Sequence, residues 1–315
     1  MTADRELRLD TRVPFTPKQG RAAGIDRATL LGPGYQKVLH GLYVSAATPV
    51  TLELRARGLL DLLDDDAHLS HHTAASLWGL WVPHHPDLHV CRAPGRRHSR
   101  PGVSTHHCAC HGEQREPGQV FRRSGLPLTS PVGTFFELAE TLGLIDLVVL
   151  GDSLVRAGRV TPQDLVERAA GSSRRGARRA REAAAFVRAG VDSPMETRLR
   201  LLLVLAGLPE PRVNLALTDS EGNVRRRLDL AYDEWRVAVE YDGRQHKASD
   251  EEWHGDIVRR DDLTSEGWRF VVVLSRGVYG EPSVTVDRVE RALRDAGWDG
   301  VRTPHPDWRR LFPGY

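Results

Sequence analysis

The sequence predicts an α/β (α+β) protein of more than one domain. It begins with a small winged-helix-like unit and ends with a mixed sheet flanked by helices. Three observations lead there. The 315 residues exceed one ordinary domain, and the 40% apolar fraction is enough for packed cores. Segments at helical spacing alternate with segments at strand spacing along the chain. Residues 194–296 read in the order α-β-β-β-α-β-α, which implies a mixed sheet with helices on its faces. The expected divisions are a winged-helix-like domain at 1–48, a regulator-like α/β region at 49–170, a basic linker or helix at 171–192, a sheet domain at 193–300 and a tail at 301–315.

The elements follow in order. Thr16-Pro17-Lys18-Gln19 starts a helix, and Gly24-Ile25-Asp26-Arg27 turns into a second. Gly34 to Val44 reads as a β-ribbon. Helix, turn, helix and ribbon is the order of a winged helix-turn-helix, with an ordinary helical cap as the alternative. Leu52 to Leu63 is apolar at helical spacing. Ser70 to Leu80 carries Ser and Thr where caps belong and Gly79 near its end. Strands are expected around His89-Val90 and from Val103 to Cys108, and helix over 130–168 after Thr129-Ser130-Pro131. Asp192-Ser193-Pro194-Met195-Glu196 is a cap, a first-turn proline and an early acid. The helix it starts runs to Ala206 and closes at Gly207. Strands near 212–218, 224–231 and 236–242 come next, with Asp233 and Glu234 as a solvated turn. A helix over 250–266, a buried strand from Trp268 to Leu274 and a helix over 283–296 complete the order.

Charge says little in sum and more in its distribution. Lys plus Arg is 44 against 42 for Asp plus Glu, but the arginines cluster at 96–100 and 174–181. Such clusters suit phosphate contact or simply a solvated helix face. Three cysteines make no disulfide framework, so a reducing interior is expected. The N-terminus lacks a signal-peptide core, and no apolar run reaches the ~20 residues of a membrane span. The expectation is a soluble, cytoplasmic protein. Thr105 to His111 contains Cys and His, but its spacing does not suit a tetrahedral zinc site. His71-His72 and His84-His85 are expected at the surface or at caps.

The chemistry concentrates in Arg227 to His246. Asp229 sits between apolar neighbours, where an isolated acid is costly unless paired or bound to a cation. Glu240 and Asp242 alternate with Val239 and Tyr241, so on a strand they share a face. Gly243 turns the chain and His246 follows. Three carboxylates and an imidazole suit a hard divalent cation that retains water, which is nuclease-like chemistry.

This order, with Glu196, Asp229, Glu240-Tyr241-Asp242-Gly243, His246, Asp256, Arg259 and Leu263 to Trp268, resembles the PD-(D/E)XK nuclease superfamily over roughly 192–296. It looks closest to the branch of very-short-patch repair endonucleases and a widespread bacterial endonuclease-like domain. Gly41-Leu42-Tyr43-Val44, Ser70 to Leu80 and Gly125 to Pro131 are similar to transcriptional-regulator-like antitoxins of abortive-infection systems. The resemblance implies a DNA endonuclease using Mg²⁺ or Mn²⁺, with DNA repair or phage defence as its setting. DNA is the expected partner, with a protein partner possible through the N-terminal half. Asp229, Glu240 and Asp242 are the expected metal ligands, with the Tyr241 carbonyl as a further donor. His246 would move a proton, Glu196 would hold a metal-bound water, and Arg259 or Arg260 would contact the scissile phosphate. Many members carry Glu-x-Lys on the third strand; here Asp242 stands at the Lys position. A non-catalytic DNA-binding regulator with a degenerate nuclease fold, or a protein-interaction module, are the alternative readings.

Overall fold

The computed structural model describes residues 9–63, 66–93, 99–107, 120–243 and 264–314. The chain is mixed α/β, and the strands of the described residues form three sheets. It divides into two compact units, Met1–Thr141 and Leu142–Tyr315. Labels below number the described elements only.

In the first unit, α1 (Pro17–Ala22) opens with a full capping box between Thr16 and Gln19. The Asp26 side chain caps the single turn of α2 (Arg27–Leu30). The expected ribbon forms from β1 (Tyr35–Leu39) and β2 (Leu42–Ser45), paired antiparallel around Gly41. Its Val38, Leu39, Leu42 and Val44 share one core with Leu59, Leu88 and Val90. The ribbon therefore buries its apolar face on the region that follows, and the boundary expected near 48 falls inside a packed core. That region contains α3 (Leu52–Leu60), β3 (His68–Leu69), α4 (His71–Trp78), β4 (Leu88–Arg92), β5 (Val103–His107), β6 (Val120–Arg123), β7 (Leu126–Thr129) and α5 (Pro131–Leu138). Its five strands lie in the order β5-β4-β3-β7-β6, with β4 parallel to β5 and β3 parallel to β7. Gly79 ends α4 in the left-handed conformation, as its position suggested. One expectation holds in part and one fails here. His71, expected at the surface or at a cap, stands at the start of α4 next to Ser70 but is buried. Cys91, expected reduced, is disulfide-bonded.

The second unit begins earlier than expected. The helical stretch after Ser130 is three helices, and α5 belongs to the first unit while α6 (Leu144–Arg156) and α7 (Pro162–Ala170) belong to the second. The stretch 171–192, expected as a basic linker or helix, contains α8 (Ala177–Phe186), which buries Ala177, Ala180, Ala183 and Ala184 and packs on α6 and α7. Its arginines 178, 179 and 181 are exposed. An alanine at every third or fourth position makes a narrow apolar stripe, and the arginines lie outside it. α9 (Pro194–Leu205) follows, then β8 (Arg212–Thr218), β9 (Val224–Tyr232), β10 (Val237–Tyr241) and β11 (Arg269–Val273), with α10 (Ser275–Tyr279) and α11 (Pro282–Asp295) after them. The sheet order is β11-β10-β9-β8, antiparallel except for the parallel pair β10–β11. The strands stand where the sequence placed them; α10 was not expected, and the helix expected over 250–266 lies mostly outside the described residues. The tail also packs. Trp308, in α12 (Trp308–Leu311), and Phe312 are buried, and His305 N–H donates to Leu205 O at 2.8 Å.

Arg200 of α9 is fully buried with Asp152 of α6. Its Nη2 donates to Asp152 Oδ2 at 3.0 Å and to Phe186 O at 2.9 Å. Thr197 Oγ1 and Arg188 N–H also donate to Asp152. Burial pushes the Asp152 carboxyl up, and the Arg200 guanidinium opposes it. The pair fixes α9, which contacts both β9 and β10. None of the described helices is long and apolar enough to cross a membrane.

Candidate active site

Three elements bring the expected acids toward one another. Ser193 caps α9 by accepting Glu196 N–H at 3.2 Å, which sets the first helical turn. The Glu196 side chain is buried and folds back on that turn. Its Oε2 accepts Asp192 N–H at 3.0 Å and Asn214 Nδ2 at 2.8 Å. Asn214, on β8, holds a positive φ of 48° that Asn tolerates better than most residues.

Asp229 lies on β9, one residue before Leu230, the last position of the described ladder with β10 (Val239↔Leu230). Glu240 is the next residue on the facing strand. Asp229 Oδ2 accepts Tyr241 N–H at 2.9 Å. Burial pushes the Asp229 carboxyl up to about 6; the Tyr241 N–H opposes this, and the charges of Glu196 and Glu240 add to it. Asp242 follows the end of β10 and is half-buried, its N–H donating to Val273 O at 2.9 Å.

Arg226 is the residue that the sequence reading missed. Its Nη2 donates to both carboxylate oxygens of Glu240 at 2.8 Å, and its guanidinium lies 5.3 Å from the Phe270 ring centroid. Both side chains of the pair are largely buried. Arg226 Nη1 is buried and has no hydrogen-bond partner among the described residues. The only signal in the sequence is the run Arg225-Arg226-Arg227 ahead of Asp229, which reads as a generic basic patch until the strand pairing is known.

Glu196, Asp229 and Glu240 are thus brought together electrostatically, but the Glu240 carboxylate is turned onto Arg226. Among the described residues the acidic set does not draw its oxygens into a three-ligand cage. His246, Asp256, Arg259 and Arg260 lie outside the described residues. Asp233 and Glu234 form the expected exposed turn, with Asp233 accepting from Arg212 at 2.9 Å.

No family model matches the chain. Two proteins of Mycobacterium tuberculosis, one from each of two strains and both described as uncharacterized, are 28% identical to it over 268 residues, covering 85% of this chain and 95% of theirs. The likeness therefore spans both compact units and is not confined to the acidic site.

Proposed function

We propose that this chain is a metal-dependent DNA endonuclease whose catalytic centre is built on Glu196, Asp229, Glu240 and Asp242. The observation that carries the reading is the gathering of Glu196, Asp229 and Glu240 at the end of the β9–β10 ladder, with Asp229 Oδ2 on Tyr241 N–H and its carboxyl pushed up by burial and by the other two charges. Burying three acids near one another is unfavourable, and a protein that does so gains most when a cation joins them. Oxygen donors and no sulfur suit Mg²⁺ or Mn²⁺. Asp229, Glu240 and Asp242 would hold the ion, which would polarise a phosphoryl oxygen and lower the pKa of a bound water.

The protein's own groups supply the rest. Glu196, fixed by Asp192 and Asn214, orients the attacking water. Arg226 offers its buried Nη1 to a phosphate oxygen, a role that a guanidinium's fork geometry favours. Arg259 and Arg260 remain candidates for the same contact, and His246 for proton transfer. Hydrolysis adds the water oxygen to phosphorus and breaks the P–O3′ bond. The water's proton goes to a base and a proton is delivered to the leaving oxygen. To hold a cation Glu240 would have to give up its Arg226 partner, which would free Arg226 for substrate.

The test is cleavage of plasmid, nicked, mismatched and single-stranded DNA with Mg²⁺ or Mn²⁺. Asp229→Ala and Glu240→Ala are expected to lower the rate by ~10²-fold or more, the scale of losing a group that acts in proton transfer or charge stabilisation. Cleavage that survives both variants, or no cleavage of any substrate, overturns the reading. The Arg226–Glu240 pair favours a second reading, a DNA-binding regulator with a degenerate nuclease fold in which the arginine permanently replaces the cation. That reading expects salt-sensitive DNA binding, unchanged by metal or by Glu240→Ala.

A further inference from the structure

The first compact unit gathers histidines that the acidic site does not use. His89 is the second residue of β4, His106 the fourth of the edge strand β5, and His71 the first of α4, which packs on β4. One ring nitrogen from each lies within 4.8 Å of the others, the one such convergence of His, Cys, Asp or Glu among the described residues. His89 Nδ1 is 2.9 Å from His106 Nε2, and the His71 and His106 rings stack with centroids 3.6 Å apart. His71 and His89 are both 6% exposed.

We propose that His71, His89 and His106 form a binding site for a borderline divalent transition-metal ion of the zinc class. The donor chemistry selects the ion. Three imidazoles with no carboxylate or thiolate among them suit Zn²⁺ or Co²⁺ and not Mg²⁺ or Ca²⁺, which need oxygen. Cys91 is paired in register with His106, but as a disulfide it supplies no thiolate. Zn–N bonds of about 2.0–2.1 Å place tetrahedral ligands roughly 3.3 Å apart, so small side-chain movements close the set around an ion.

The surroundings are those of a supported site. A ligating imidazole needs its other nitrogen held. His71 Nδ1 is 3.0 Å from Ser70 Oγ and 3.7 Å from Glu137 Oε2, while His71 N–H donates to the same Glu137 oxygen at 2.9 Å. Thr129 Oγ1 donates to the other Glu137 oxygen at 2.9 Å. On the far side, His89 Nε2 is 3.0 Å from His85 Nδ1, and His89 N–H donates to Thr73 Oγ1 at 2.7 Å. His71 has φ 48°, strained for a residue with a side chain, and this conformation starts the helix where its ring meets His106.

The experiment uses the full chain, stripped with chelator and titrated with Zn²⁺ by calorimetry and with Co²⁺ by visible absorption, both in the presence of excess Mg²⁺. The expected result is one ion per chain and cobalt d–d bands of a nitrogen-ligated centre. His106→Ala, on a half-exposed edge position, should weaken Zn²⁺ at least ~100-fold. His85→Ala, at an exposed residue outside the three ligands whose Nδ1 faces His89 and accepts Asp87 N–H, should weaken it ~10–100-fold. Wild-type protein that takes up neither metal, or His106→Ala protein that binds zinc as tightly as wild type, overturns the proposal. So does Zn²⁺ binding that is lost in Asp229→Ala and retained in His106→Ala, which would place the ion at the acidic site instead. Failure of the nuclease assay leaves this result unaffected, because the two sites lie in different compact units and select different ions.

Discussion

Replacing Asp229 by Asn isolates the charge on which the candidate active site turns. Asn keeps the carbonyl oxygen that accepts Tyr241 N–H and removes the buried charge near Glu196 and Glu240. A carboxyl at about 6 in the folded protein, against its ordinary 3.8, holds its proton more tightly when folded. The folded state binds the extra proton, so its stability falls as pH rises from about 4 to about 6 and stays low above that. At 1.36 kcal/mol per pH unit the difference is ~3 kcal/mol, an upper value because the unfolded chain and solvent relaxation reduce it. Asp229→Asn should therefore stabilise the second unit at about pH 8 by up to ~3 kcal/mol, and most of the gain should be gone by about pH 4 and all of it below about pH 3, where the carboxyl is protonated folded and unfolded alike. Urea unfolding across this range measures it. Mg²⁺ gives a second reading. At ten times its dissociation constant a bound cation stabilises wild type by ~1.4 kcal/mol, and the Asn variant should gain little of this. An Asn variant less stable than wild type at about pH 8, or one whose gain does not shrink on acidification, would refute the argument that Asp229 is a buried, unneutralised acid.

Other expectations rest on different contacts. Arg226→Ala should leave Glu240 buried beside two other acids without its guanidinium, destabilising the unit by ~3–5 kcal/mol in metal-free buffer, with part of the loss recovered in Mg²⁺; chemical denaturation with and without the ion checks this. Asp152→Ala leaves the fully buried Arg200 only Phe186 O and the longer 3.5 Å contact to Glu210, and should cost ~3 kcal/mol at neutral pH, measured as a lowered Tm and urea midpoint. Gly207 has φ +87, and a Cβ there would sit 2.5 Å from Thr303 C. Gly207→Ala should be distinctly more destabilising than Gly222→Ala, which has the same φ and nothing within 4 Å, so that only the ~1–2 kcal/mol backbone cost remains; paired thermal melts compare them. Ser193→Ala removes the α9 cap beside Glu196 and should cost ~1 kcal/mol, read from the same melts.

The sequence by itself determined most elements, because those signals are local. Thr16, Ser193, Pro194 and Gly79 mark helix ends through hydrogen bonds and dihedrals that act within one turn. The alternation through Leu228 to Tyr232 and Val237 to Tyr241 marks strands for the same reason, and it places Asp229 and Glu240 on adjacent strands. Tertiary structure alone decided the partners. That Arg226 seizes Glu240 depends on how β9 lies against β10, since the two residues are 14 apart in the chain. The division at Thr141–Leu142 depends on which apolar faces meet, as when the ribbon at Val38 to Val44 closes on Leu88 and Val90. His71, His89 and His106 read singly as a cap residue and two strand residues. Only the packing of α4 on β4, with β5 beside it, makes them one group, because burial and convergence are properties of distance in space and leave no periodic trace along the chain.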